Sequence, residues 1–135
     1  MKKTVFAALA AATAIAAAAP AFADGHGERY VMITHTQGTD PFWPVVEKGG
    51  RDAAAAIGAT LEYNFDVSGD MAAMAALIEA AAASEPDGII VSLPDADALG
   101  PAIKAAVADG IPVVTMNSGL ESSAELGALM HVGQP

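Results

Sequence analysis

Short apolar runs alternate with Ala-rich helical stretches between residues 30 and 132, and this alternation is what most constrains the fold. The predicted strands are Tyr30–Thr34, Thr60–Phe65, Gly88–Leu93, Ile111–Met116 and Ala128–Val132. The predicted helices are Phe42–Ile57, Met71–Ala83 and Asp97–Asp109. Strands that alternate with helices of this length are typical of βαβ units and a parallel sheet. Because βαβ connections are right-handed, we predict an α/β fold with helices on both faces of a doubly wound, flavodoxin-like sheet.

Capping residues support the predicted helix ends. Asp40 is a good N-cap for the first helix, and Pro41 suits the first helical position, where its missing N–H costs nothing. For the third helix we predict Asp97 as the cap and leave the role of Asp95 open. Gly49-Gly50 inside the first helix opposes helix propensity, which predicts a close approach of this helix to a strand or a loop.

The first 23 residues have the pattern of a secretory signal peptide. Lys2 and Lys3 precede an apolar Ala-rich run, and Pro20-Ala21-Phe22-Ala23 forms a small-x-small cleavage site. A transmembrane anchor is disfavoured because the run is short and consists mostly of Ala. We therefore expect cleavage after Ala23, export to the periplasm and a mature domain over residues 24–135.

The mature chain is strongly acidic and contains no cysteine. Residues 24–135 contain four basic against sixteen acidic side chains, a formal charge of −12. Such a surface repels nucleic acid and anionic lipid, so neither is an expected partner. Without disulfides, stability has to come from the apolar core that about 110 residues can bury.

Polar residues follow the predicted strands where each strand ends. The stretch His35 to Asp40 follows the first strand, and the later positions are Asp66, Ser92, Asp95, Asn117, Ser118 and Gln134. In open parallel sheets, ligands bind outside the carboxyl ends of the strands, near the reversal of strand order. This edge is therefore the predicted binding site.

Phe42 and Trp43 give this edge a chemical character. Their flat apolar faces can contact the C–H face of a sugar ring, and a carboxylate or amide beside them can bind vicinal hydroxyls. Alternatively, one of the two aromatics packs under the loop as core, and Asp40 only caps the helix. We predict that at least one aromatic contacts the ligand.

Sequence signatures of catalysis and of cofactor binding are missing. The sequence has no nucleophile elbow, P-loop or dinucleotide glycine fingerprint. His26, His35 and His131 lack the spacing of metal ligands, so we expect no metal and no cofactor. An enzyme is disfavoured.

Three stretches resemble a known family: GTDPFWPVVEKGG, PDGIIVSLPDADALGPAIKAAVADGIPVVTMNSG and ELGALMHVGQ. They are similar to the sugar-binding branch of the type I periplasmic binding proteins, the substrate-binding subunits of ABC importers. The resemblance implies two α/β lobes that close on a monosaccharide or similar polyol and dock on a membrane permease. It also implies ligand-binding roles for Asp40, Phe42 and Trp43 after the first strand, and for Asn117 and Ser118 after the fourth.

The chain departs from this family in two ways. Members that bind ribose or galactose often carry an Asp-Arg pair after the fourth strand, where this sequence has Asn117-Ser118. The family also has two lobes, whereas this chain corresponds to most of the amino-terminal one. We therefore expect an amino-terminal fragment of a protein that is monomeric when complete.

Two other functions remain open from the sequence. A periplasmic receptor for a chemoreceptor or a sensor kinase would use the same site with a different partner. A secreted hydrolase would use Asp40 or Asp95 together with His35. The sequence does not select one sugar or polyol.

Overall fold

The computed structural model describes residues 27–36 and 39–133 of the chain. Its strands are β1 (Arg29–Thr34), β2 (Thr60–Phe65), β3 (Gly88–Ser92), β4 (Val113–Met116) and β5 (Met130–Val132). Its helices are α1 (Phe42–Ala56), α2 (Met71–Ala83), α3 (Ala96–Ala108) and α4 (Leu120–Ser123). No helix within these ranges is long and apolar enough to cross a membrane. The predicted signal peptide lies outside the described residues.

The five strands form one parallel sheet in the order β2-β1-β3-β4-β5. The chain runs from β1 outward to β2, and then crosses back to β3 on the other side of β1. This reversal lies between β1 and β3, where Ile33 is paired with Val91. The predicted doubly wound α/β fold is confirmed.

The main core lies between the sheet and helices α2 and α3. Its largest fully buried side chains come from β1, α2, β3, α3 and β4: Val31, Ile33, Met74, Ile78, Ile89, Val91, Leu99, Ile103 and Val113. Each such side chain contributes about 1.5–3 kcal/mol of burial free energy. This layer supplies most of the apolar stabilisation and fixes the carboxyl ends of β1, β3 and β4 relative to one another.

A smaller core lies on the opposite face, under α1. Met32, Ala54 and Leu61 are buried there. Farther along the same face, Ile90 and Met116 are only partly buried, because α1 covers the sheet mainly at β1 and β2. The amino end of α1 nevertheless lies close to the carboxyl edge of the sheet.

The predicted strand bounds need small corrections. β2 and α2 have the predicted bounds, whereas β4 begins at Val113 instead of Ile111. Pro112 has no N–H to donate to a neighbouring strand, although its carbonyl oxygen accepts from the Ile89 N–H at 2.9 Å. β5 begins at Met130 instead of Ala128, because the Ala128 N–H donates to the Ser123 carbonyl of the short, unpredicted helix α4.

Two predicted helix starts also differ from the structure. α3 is capped by Asp95, whose Oδ1 accepts from the N–H groups of Asp97 and Ala98 at 3.0 Å each, so the prediction of Asp97 as the cap was wrong. Asp97 lies inside the first turn, where its negative charge favours the helix dipole. Pro41 is the residue before α1, and Asp40 lies one position farther out.

Candidate ligand-binding site

The reversal of strand order is held together by His35 and Ser92. Ser92 is fully buried at the end of β3, and His35 directly follows β1. Ser92 Oγ accepts from the His35 backbone N–H at 3.0 Å and lies 2.7 Å from His35 Nδ1. Burial lowers the pKa of His35 below its ordinary value of 6.5, against the opposing effect of the Asp40 carboxylate. The imidazole is therefore held in its neutral form at neutral pH.

The two predicted aromatics have different environments. Trp43 is buried, with 3% of its surface exposed, whereas Phe42 is 45% exposed. Their ring centroids are 5.0 Å apart in an edge-to-face arrangement, and Trp43 has the same type of contact with His35. One aromatic thus packs under the loop, as one sequence interpretation required, and the other faces outward.

Asp40 stabilises the beginning of α1 from outside the helix. Its Oδ1 accepts from the Phe42 N–H at 2.9 Å. The side chain is exposed at the edge of the sheet, so its other carboxylate oxygen remains accessible to solvent. Capping the helix and contacting a ligand are therefore compatible for this residue.

A groove of about 490 Å³ brings two predicted site residues together. Phe42 lines it from α1, and Asn117 lines it from the turn after β4. Its apolar lining comes from Val46, Met116 and Val132. This volume lies in the range of small-molecule sites, and an aromatic face opposite an amide suits a ring that carries hydroxyls.

The turn after β4 has a strained backbone. Asn117 has a φ of 65°, in the left-handed region that Asn tolerates better than most residues. Its N–H donates to the Val132 carbonyl at 2.9 Å, and the Ser118 N–H donates to the Met116 carbonyl at 2.8 Å. Ser118 Oγ is buried and has no hydrogen-bond partner among the described residues.

The other predicted positions contribute differently. Asp95 Oδ1 is occupied as the cap of α3, and the exposed side chain follows β3. The Asp66 carboxylate accepts from the N–H groups of Ser68 and Asp70 in its own turn, which lowers its pKa. Gln134 lies outside the described residues. The proposed ligand contacts of Asp40, Phe42, Trp43, Asp95, Asn117, Ser118 and Gln134 remain predictions.

Tyr63 and Phe65 were not identified from the sequence. Together with Asp40, Trp43 and Glu47 they line a small cavity of about 100 Å³ between α1 and the end of β2. Their rings contact each other at 5.4 Å, and Tyr63 Oη is hydrogen-bonded to Thr34 Oγ1 at 2.7 Å. The available signal was their i, i+2 spacing on one face of β2, next to the strand that precedes the loop.

A larger hollow of about 660 Å³ lies at the opposite edge of the sheet, before β3 and β4. It is lined by Glu85, Asp87 and Asp109 together with Pro86 and Pro112, and it contains no aromatic residue. It is distant from the strand reversal, so we place the candidate site at the groove beside Phe42. Within residues 27–36 and 39–133, no group of three or more His, Asp or Glu side chains could hold a metal ion.

These features define a doubly wound α/β lobe whose polar and aromatic side chains collect at the carboxyl edge of the sheet. A family model described as "periplasmic binding protein domain" matches residues 30–135. The chain therefore belongs to the periplasmic binding protein family. A comparison with curated proteins gave no match.

Several solved structures are similar to the chain. A carbohydrate transporter from Acidothermus cellulolyticus, in complex with myo-inositol, is 47% identical with a TM-score of 0.77, over 80% of this chain and 37% of that one. A sugar-binding protein of a sugar ABC transporter from Bacillus halodurans is 34% identical with a TM-score of 0.72, over 80% and 36%. A periplasmic ribose ABC transporter from Conexibacter woesei is 32% identical with a TM-score of 0.74, over 82% and 36%. The chain thus spans little more than a third of the length of these proteins.

Proposed function

We propose that this chain is the amino-terminal part of a substrate-binding protein that captures a monosaccharide or similar polyol for an ABC importer. The observation that carries the proposal is the groove in which Phe42 from α1 faces Asn117 from the turn after β4. The similar proteins are described as carbohydrate, sugar or ribose transport proteins, and one of them contains myo-inositol. No enzymatic role is proposed.

The groove offers the two kinds of contact that a polyol requires. The exposed ring of Phe42 can cover the C–H face of the ligand, while Val46 and Met116 exclude water beneath it. The Asn117 amide can donate to one hydroxyl and accept from its neighbour. Asp40 and Asp95 are candidate acceptors for further hydroxyls at the same edge.

The lobe by itself forms half of a site. Two lobes that close on a ligand remove it from water, and the ligand favours the closed form by the extra contacts made there. In the proposed mechanism the importer recognises this closed form. We therefore expect the described residues alone to bind a polyol weakly.

The test is calorimetric titration of myo-inositol, ribose, arabinose and glucose into the protein at the length at which its host produces it. Asn117→Asp keeps the size and the left-handed turn but removes the amide donor, and we expect about tenfold weaker binding. Asn64→Asp makes the same chemical change on β2, away from the groove, and should leave the affinity unchanged. If the unmodified protein binds no member of the panel, the proposal is wrong.

Export, partner and assembly are parts of the same proposal. An amino terminus at Asp24 in periplasmic extracts would support cleavage after Ala23. Cross-linking of the ligand-bound protein to a membrane permease would support the importer role, whereas cross-linking to a sensor or chemoreceptor would favour signalling. Light scattering would test the expected monomer.

A further inference from the structure

We propose that Ser92 and His35 are positioning residues, which hold Trp43 and, through it, orient Phe42 toward the groove. No direct contact of His35 or Ser92 with the ligand is required. The ligand-binding part of this inference depends on the proposed function, whereas the contacts themselves lie within this chain.

Ser92 fixes the orientation of the His35 ring. One lone pair of its Oγ is used by the His35 backbone N–H, and among the described residues Nδ1 is the acceptor within reach of the hydroxyl proton. Ser92 is fully buried, so this proton has no water to bond. The hydroxyl therefore donates to Nδ1, and the neutral imidazole carries its proton on Nε2.

His35 in turn fixes Trp43. The two ring centroids are 5.0 Å apart with an angle of 77° between the planes, an edge-to-face contact. Trp43 is 3% exposed, so a change in the shape or charge of its neighbour has to be absorbed inside a packed site. Asp40 is the charged group that acts on His35, and its carboxylate favours protonation while burial opposes it.

Trp43 then restrains Phe42. Their rings meet edge to face at 5.0 Å and 79°, and Phe42 is half exposed at the first position of α1. An exposed phenyl ring without this support would be free to change rotamer. The series Ser92, His35, Trp43 and Phe42 thus connects the strand reversal to the lining of the groove.

Trp43 makes the connection measurable because it is the only tryptophan in the sequence. In the 135-residue chain, protonation of His35 should quench Trp43 fluorescence with a midpoint below pH 6.5. His35→Phe and His35→Asn should abolish this titration. His131→Phe is the matched control, because His131 Nδ1 also lies 2.9 Å from a hydroxyl, that of Thr115, but among the described residues has no ring contact with Trp43.

Ligand affinity is the second readout, with myo-inositol as the probe in the protein at its natural length. His35→Ala should weaken binding about tenfold, and His35→Phe, which restores a ring beside Trp43, should recover part of that loss. A change that only lowers stability would leave the affinity of the folded protein and the near-ultraviolet dichroism of Trp43 unchanged.

Two results would overturn the inference. One is a Trp43 emission that does not respond to pH in the unmodified chain, a measurement that needs no variant and so does not depend on a variant folding. The other is an unchanged myo-inositol affinity in folded His35→Ala. If the unmodified protein binds no polyol, the proposed function fails, while the fluorescence titration still decides whether the His35–Trp43 contact exists.

Discussion

Gly50 of α1 lies directly against Leu61 of β2. A Cβ atom placed on Gly50 would be 2.6 Å from Leu61 Cδ2, closer than any ordinary carbon–carbon contact. The neighbouring Gly49 has open space in the same test, with nothing within 4 Å. One glycine of the pair therefore allows the helix to approach the sheet, and the other has no packing role.

This difference predicts opposite effects of two adjacent substitutions. Gly49→Ala should raise the free energy of unfolding by about 0.5–1 kcal/mol, because Ala is favoured over Gly in a helix. Gly50→Ala gains the same propensity but forces Leu61 to move, and we expect a net loss of about 1 kcal/mol. Urea unfolding of both variants checks this, and equal stabilities would show that the Gly50–Leu61 contact does not limit packing.

Local signals were sufficient for much of the fold. The bounds of β2 and α2 follow from their apolar patterns and flanking turns, and the Gly49-Gly50 pair correctly indicated a close approach. Periodicity did not reveal α4, because four residues are too few to show a helical period. The order of the strands followed from the handedness of their connections.

The site was less predictable, because it depends on tertiary packing. Both Asp95 and Asp97 are good caps, and the choice between them depends on where β3 ends, which its pairing with β4 determines. The phase of α1 on the sheet decides that Trp43 is buried and Phe42 exposed, and adjacent positions in a sequence carry no such information. Phe65 reaches the site only because β2 pairs in register with β1.

The cap assignment gives a second prediction. Asp95→Ala should lower the free energy of unfolding by about 0.5–2 kcal/mol, because two N–H groups of the first turn of α3 lose their acceptor. Asp97→Ala, two residues away, should cost less than about 1 kcal/mol, since it loses only the interaction with the helix dipole.

Asp95→Asn separates capping from ligand binding. Asn caps a helix about as well as Asp, so stability should be close to that of the unmodified protein. If the carboxylate binds a ligand hydroxyl, polyol affinity measured by calorimetry should fall in this variant. An Asp95→Asn protein that is as unstable as Asp95→Ala would contradict the cap assignment.

Stability should depend on pH through His35. Its pKa is lower in the folded state than the ordinary value of 6.5 because the ring is partly buried, so the unfolded chain binds more protons as the pH falls. The stabilisation is present above pH 6.5 and is lost as the pH falls through the lower pKa of the folded state. The pKa of Asp66 is lowered from 3.8, so the effect of that group is constant in this range.

Urea unfolding between pH 7.5 and pH 5 tests this pH dependence. The midpoint of the unmodified chain should fall below pH 6.5 more steeply than that of His35→Phe, which has no titrating ring at this position. Parallel curves for the two proteins would show that His35 does not carry the effect.

Phe42 and Trp43 are adjacent, but their substitution by Ala should have different effects. Trp43 is buried under the loop, so Trp43→Ala should lower the free energy of unfolding by about 3–5 kcal/mol. Phe42 is half exposed beside the groove, so Phe42→Ala should cost about 1 kcal/mol in stability and weaken polyol binding by about 1–2 kcal/mol. Val45→Ala is the control, because Val45 is 71% exposed on the same helix and does not line the groove. Denaturation and calorimetry on the same three proteins check both effects, and an unchanged affinity in Phe42→Ala would remove this side chain from the proposed site.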